Sequence, residues 1–323
     1  MRPVKVAGCL TLIAVLLQPA APAGQGAAKP PRTPDGKPDL HGVWNYGTVT
    51  PVERPRELAD KEFLTPEEAE AFARQTVQSR DVDANRRSQS ATADVGSAYN
   101  NFWYDRGSTA VGTRRTSLVI DPRDGRIPAL TPEAQARAQE RGAVRKQRGP
   151  ADGPEDRGLS ERCIMFGAGP PILPGPYNNN LQIFQTPTHV VILNEMIHDA
   201  RIVPLDGRGP APDAVRPWQG VSRGRWEGDT LVVETTNFST KTNFRNTTDR
   251  LHLVERFRRP DANTLLYEFT VNDPSSYTHP WTVSLPMARS DEPIYEYACH
   301  EGNEGMFGIL KGTRAEEGAA SKK

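Results

Sequence analysis

Apolar and polar residues alternate along most of the C-terminal half of this chain. The clearest unit is Arg225-Trp226-Glu227-Gly228-Asp229-Thr230-Leu231-Val232-Val233-Glu234-Thr235, two strand-like runs around a Glu-Gly-Asp turn. A weaker copy follows at Arg259-Pro260-Asp261-Ala262-Asn263-Thr264-Leu265-Leu266-Tyr267-Glu268-Phe269. The pattern predicts strands over residues 181–185, 189–195, 200–204, 220–226, 230–236, 251–258, 264–271, 281–285 and 294–300. Asp206-Gly207, Asp261-Ala262-Asn263 and Asn272-Asp273-Pro274 supply further turns between them. No long helical pattern separates these runs, which argues against parallel βαβ units and for an antiparallel meander forming a barrel or sandwich.

The first half reads differently. Leu64-Thr65-Pro66-Glu67-Glu68-Ala69 is a helix start, with Thr65 as N-cap, Pro66 at the first helical position and Glu68 completing a capping box. Leu130-Thr131-Pro132-Glu133-Ala134 repeats the start without the box. Two helices are expected, near 66–78 and 132–147, inside a loop-rich wrap. Arg115-Thr116-Ser117-Leu118-Val119-Ile120-Asp121 reads as a strand ending in a turn at 122–125. Asn100-Asn101-Phe102-Trp103-Tyr104-Asp105-Arg106 gathers three aromatics, read as a loop pinned to the barrel or as a ligand-facing lid. Asp39-Leu40-His41-Gly42-Val43-Trp44-Asn45 is the first structured element, and its Trp is large enough to close one end of a barrel.

Strand side chains point alternately to two faces. On 251–258, Leu251, Leu253, Glu255 and Phe257 share one face, so Glu255 falls among core residues. A buried carboxylate needs a partner, and Arg223, Arg225 or Arg245 could supply it. The alternative is a one-residue slip near a bulge that leaves Glu255 in water.

Composition narrows the possibilities. Lys plus Arg and Asp plus Glu both number 40, so the chain lacks the basic footprint of a nucleic-acid binder. The hydrophobic share is 36%, with 29 Pro and 27 Gly, which implies much loop around a concentrated core. Residues 1–23 read as a signal peptide: Arg2 and Lys5, an apolar run over 6–17 too short to span a bilayer, then Ala21-Pro22-Ala23 for cleavage. Its removal leaves 38 basic and 40 acidic residues. A secreted or periplasmic protein without an integral membrane segment is expected.

Two cysteines then remain, Cys163 and Cys299. In an exported chain they are expected to form a disulfide, which loop-closure entropy makes worth about 3–5 kcal/mol. A reactive thiol or metal ligand beside His300 is the alternative. The expected division is a lead-in over 24–38, the wrap over 39–160, the β barrel or sandwich over 161–311 and a disordered tail over 312–323.

The densest polar cluster is Glu195-Met196-Ile197-His198-Asp199-Ala200-Arg201, where Glu195 and His198 could form an acid-base pair. Cys299-His300-Glu301-Gly302-Asn303 places His300 and Glu301 at a strand end, as further candidate catalytic groups. Neither cluster has a third ligand at zinc-site spacing, so no metal or cofactor is implied. Gly-x-Ser-x-Gly, Walker and His-Glu-x-x-His motifs are absent. Glu255, Glu268, Arg223, Arg245, Trp226, Tyr297 and Asn180 are the residues expected to meet a ligand.

Pro38-Asp39-Leu40-His41-Gly42-Val43-Trp44, Arg162-Cys163-Ile164, Tyr177-Asn178-Asn179-Asn180, Arg225-Trp226-Glu227-Gly228-Asp229-Thr230-Leu231 and Tyr297-Ala298-Cys299-His300-Glu301-Gly302-Asn303 resemble a large family of exported bacterial proteins of unassigned function. That resemblance brings no activity. Gly42-Val43-Trp44 and the Gly-Asp-Thr-Leu hairpin resemble calycins, the lipocalin and fatty-acid-binding barrels, and imply a calycin-like barrel. More than a hundred residues separate Trp44 from the main strands, where a lipocalin runs on directly. The leading expectation is a small-molecule ligand bound inside the barrel, between apolar walls and a few charges. The alternatives are a hydrolase, lyase or isomerase using His198, Glu195, His300 and Glu301, and a structural protein of the cell envelope.

Overall fold

The computed structural model describes residues 30–81, 104–149, 151–165 and 169–320. The expected signal peptide, Phe102 and Trp103 lie outside the described residues. The chain is mostly β, with a ten-stranded antiparallel sheet. In chain order the strands are β1 (Gly42–Asn45), β2 (Val119–Asp121), β3 (Asn180–Gln185), β4 (His189–Asn194), β5 (Ala200–Pro204), β6 (Val221–Glu227), β7 (Thr230–Thr236), β8 (His252–Arg258), β9 (Thr264–Asn272) and β10 (Trp281–Ser290). Among the described residues the α-helices are α1 (Pro66–Arg80), α2 (Pro132–Lys146) and α3 (Glu304–Ala320).

Hydrogen-bonded neighbours run in the order β5-β4-β3-β1-β10-β9-β8-β7-β6, with β2 added beside β10. Every ladder is antiparallel, and nine strands lie on the path. An odd number leaves the two edge strands, β5 and β6, running the same way. They do not pair, so the sheet is not closed by hydrogen bonds. It nevertheless curls until these edges touch. A Cβ on Gly224 of β6 would sit 2.6 Å from Leu205 Cδ2 and 2.8 Å from Val203 Cγ1. The missing side chain is what lets the seam pack.

Alternation decides the faces. Leu253 lies opposite Val271, Glu255 opposite Phe269 and Phe257 opposite Tyr267, and all six are buried. Trp44, Leu181, Ile183, Ile192, Trp281 and Leu285 complete a filled interior. Edge-to-face and tilted ring pairs set its packing, with Phe257 and Tyr267 centroids 4.9 Å apart and Phe269 and Trp281 6.0 Å apart.

One end is closed by the segment before β1. Trp44 Nε1 donates to the Leu40 carbonyl at 3.0 Å, and the Arg259 guanidinium lies 5.1 Å from the Trp44 ring centroid. Arg259 also donates to the Asp39 carbonyl. Arg32 pairs with Asp229 at 2.7 Å, and Lys37 lies 5.8 Å from the Trp226 ring centroid. The opposite end carries the β4–β5 turn. Residues 169–173 enter the interior, where Ile172 and Leu173 join the core cluster.

The wrap forms as its helix signals imply. Thr65 and Glu68 make both bonds of the capping box, at 3.2 and 2.9 Å. Thr131 Oγ1 accepts from Ala134 N at 3.1 Å. Tyr104 stacks under Arg106, and Asp105 N donates to the Pro176 carbonyl at 3.0 Å, so this loop is pinned to the segment before β3. Two expectations are corrected. Residues 294–300 form no strand; Pro293 interrupts the chain, and β10 runs on to Ser290 as the partner of β1. Residues 304–320 are helical, where a disordered tail was expected from 312.

Candidate functional site

Two polar assemblies stand out, one inside the curled sheet and one at the β4–β5 end. The first centres on Glu255, which is 0% exposed, and Arg201, which is 7% exposed. Arg201 and Val203 share the inward face of β5, and Glu255 faces them across the interior from β8. The pair is bidentate: Arg201 Nη2 donates to Glu255 Oε1 at 2.9 Å, and Nη1 donates to Oε2. Tyr267 Oη donates to Glu255 Oε1 at 2.8 Å. The same Oη accepts from Ile172 N at 3.0 Å. Burial, then the Glu255 charge, pushes the Tyr267 hydroxyl well above its usual pKa. Burial opposes the Arg201 charge, and Glu255 overrides it, leaving that pKa above the usual guanidinium value.

The second assembly is built where β4 turns into β5. Asn45 Nδ2 donates to Asn180 Oδ1 at 2.8 Å, and Asn180 Nδ2 donates to Glu195 Oε2 at 2.7 Å. Tyr295 N donates to the other Glu195 oxygen at 3.1 Å. Glu195 is 2% exposed, so these donors replace water. Burial, with Glu195 adding to it, pushes the neighbouring Tyr46 hydroxyl upward.

His198 sits at the rim of this end. Its Nδ1 lies 2.7 Å from the Tyr297 carbonyl. A carbonyl only accepts, so Nδ1 carries the proton, and in the neutral ring Nε2 is the basic nitrogen. Ile197 and His198 both have positive φ, at 61° and 45°. For a β-branched residue that backbone is strained, and strain of this kind concentrates at functional turns. Burial lifts the Asp199 carboxyl to about 6, against a lowering hydrogen bond from Gln219 and the adjacent His198.

Cys163 and Cys299 are disulfide-bonded, with Cα atoms 5.8 Å apart. The bond ties the segment after β10 to the 160s. Beside it opens a cleft of about 410 Å³, lined by Tyr177, Tyr297, Glu161, Glu296 and both cysteines. The Tyr177 and Tyr297 rings stack with centroids 6.5 Å apart.

The expected site residues divide accordingly. Asn180, Glu195, His198 and Tyr297 converge at one end. The Glu195 carboxylate turns toward Asn180 and Tyr295, whereas the His198 ring turns toward Tyr297. His300 and Glu301 are exposed on the turn after Cys299, and among the described residues no hydrogen bond joins their side chains to His198 or Glu195. Glu255 is inside, but its partner is Arg201, not Arg223, Arg225 or Arg245. Arg223 faces outward and donates to the carbonyls of Ser222 and Gly209. Arg245 is exposed beyond β7. Glu268 is half-buried on the outer face of β9, opposite Arg256. Trp226 is half-buried and packs against the core edge. Among the described residues no group of three or more His, Cys, Asp and Glu could hold a metal ion.

Sequence reasoning missed Arg201 and Tyr267. Parity alone could have found them, since Arg201 alternates with Val203, and Tyr267 with Leu265 and Phe269. What parity lacks is which strands face each other across the interior. No protein-family model, curated protein or solved structure matches the chain.

Proposed function

We propose that this is an exported protein that binds a small molecule at the Arg201–Glu255–Tyr267 centre of its barrel. The observation that carries the reading is the burial of a complete ion pair and a tyrosine hydroxyl in an interior walled mostly by apolar side chains, with the neutral Ser222–Thr235 hydroxyl pair on β6 and β7. Apolar residues of similar volume would stabilise such a core as well or better, so stability does not account for the pair. A few converging polar groups among apolar walls are what orient a small ligand. Residues 169–173 fill that space when no ligand does. The disulfide fits an oxidising compartment, and the resemblances to exported bacterial proteins and to calycins favour the same reading. No described helix is long and apolar enough to cross a membrane.

The test is a thermal-shift screen of the purified protein against a metabolite and lipid panel. A ligand at a hundred times its Kd adds about 2.7 kcal/mol and raises the midpoint by several degrees. Absence of a shift with every compound, or an equal shift in Tyr267→Phe, would sink the reading.

One observation favours a second reading, a hydrolase, lyase or isomerase. The Tyr297 carbonyl holds His198 in the tautomer that leaves Nε2 as the basic nitrogen, and Tyr297 itself lines the cleft beside the disulfide. Turnover of any panel ester, lactone or hydroxy acid should fall at least about a hundredfold in His198→Gln. Unchanged turnover in that variant rules it out.

A further inference from the structure

Resting on the barrel-binding reading, we infer that residues 169–173 occupy the ligand site in cis, and that the ligand displacing them is a neutral, apolar-bodied amide or alcohol. Tyr267 Oη sets the chemistry. Its proton is committed to Glu255, because a carboxylate only accepts. Its lone pair therefore accepts, and Ile172 N–H supplies the donor. A replacement must bring an N–H or O–H. Arg201 already balances Glu255, so a further charge in this interior would be desolvated without a partner, which excludes carboxylates and ammonium groups.

The segment is built to leave. Pro170 and Pro171 have no N–H to give. The Ile172 bond to Tyr267 is the only hydrogen bond between residues 169–173 and the other described residues. A second acceptor lies beside them. Asn194 is 4% exposed, and its Oδ1 has no hydrogen-bond partner among the described residues. Its side-chain nitrogen lies 3.4 Å from where a Cβ on Gly169 would be. Buried side-chain oxygens are seldom left unpaired, and a ligand donor arriving there would satisfy this one. On the outer side, Gly169, Pro170, Pro171 and Phe244 wall a cleft of about 240 Å³. The segment thus separates a solvent-facing cleft from the Tyr267 acceptor and packs against Asn194.

The experiment is titration calorimetry of the full chain with hexanamide, 1-hexanol and methyl hexanoate, the last being neutral but without a donor. A self-occupied site weakens apparent affinity by the fraction of molecules that are open. Ile172→Ala, which loosens the segment, should bind hexanamide and hexanol at least about tenfold tighter than the wild type, and methyl hexanoate about tenfold weaker than hexanamide. Adding Tyr267→Phe should erase the gain. Equal affinity in Ile172→Ala and wild type overturns the self-occupancy and leaves barrel binding standing. Binding by neither overturns the self-occupancy and the ligand class, with barrel binding itself decided by the panel screen, and preference for the ester overturns the ligand class. If Ile172→Ala does not fold, hydrogen exchange on the wild type decides. Saturating hexanamide should speed exchange at the Ile172 amide while the β8 and β9 amides stay protected; an unchanged or slowed Ile172 amide overturns the proposal.

Discussion

Replacing Arg201 with Met should cost far more than removing an ordinary surface ion pair. Arg201 donates twice to Glu255, and both side chains are withdrawn from water. The substitution leaves a carboxylate in the interior with Tyr267 as its one remaining donor among the described residues. Breaking a buried pair on one side costs about 3–5 kcal/mol, because the surviving charge has lost both its partner and its solvent. At 2–4 °C per kcal/mol, that lowers the melting midpoint by roughly 6–20 °C. Removing both charges is different. Arg201→Met with Glu255→Leu removes the stranded charge, and the remaining penalty is the Tyr267 hydroxyl without its acceptor, about 1 kcal/mol. Adding Tyr267→Phe should bring stability to within about 1 kcal/mol of the wild type or above it. The assay is urea unfolding of the oxidised protein, followed by far-ultraviolet circular dichroism and tryptophan fluorescence, with the slope checked for constancy. A single-variant loss below about 1 kcal/mol, or losses that simply add in the double variant, would refute the account of this centre.

Three further outcomes are expected. Cys163→Ala with Cys299→Ala opens a loop with a sequence separation of 136 residues and should cost about 5 kcal/mol on loop-closure entropy, read from the urea midpoint; an unchanged midpoint would mean that packing alone holds the 291–303 segment. Gly224→Ala should cost about 1–3 kcal/mol by driving a methyl group into Val203 and Leu205, and a neutral result would mean that β5 and β6 do not pack at the seam. Asp199 has a folded pKa of about 6, above its unfolded value, so its contribution is present below about pH 4 and is lost as pH rises through 6. With allowance for solvent at this half-buried site, wild-type stability relative to Asp199→Asn should fall by about 1 kcal/mol between pH 4 and 7, and a flat difference would refute the shift.

The strands were legible because burial on one face writes a period of two. β3 to β9 stand within about two residues of their expected positions. The helix starts were legible because a cap is chemistry local to four residues, as Thr65 and Glu68 show. Residues 294–300 misled for the converse reason. Tyr295, Tyr297 and Cys299 alternate with Glu296, Ala298 and His300, yet the segment is held from outside the sheet. Tyr295 N bonds Glu195, the Tyr297 carbonyl takes His198, and Cys299 takes the disulfide. Two of these anchors are main-chain groups and the Tyr295 side chain is exposed, so the alternation there marks no sheet face; the anchors are contacts about a hundred residues or more away in sequence that no local pattern encodes.

The interior charge was half legible for a deeper reason. Parity places Glu255 among Leu253 and Phe257, and its partner must then lie on a strand facing it. In a sheet curled on itself the facing strand is not the hydrogen-bonded neighbour. β8 pairs with β7 and β9, while the guanidinium comes from β5, at the far edge of the ladder path. The edges meet because the nine-strand path curls and Gly224 admits Val203 and Leu205. The seam and the ion pair are therefore one feature: β5 has no ladder to β6, and Arg201 bonded to Glu255 anchors its inward face. It follows that Gly224→Ala and Arg201→Met are not independent. Whichever comes first loosens β5, so their combined cost should be less than the sum of the two, and strict additivity within about 0.5 kcal/mol would show that the seam holds without the pair.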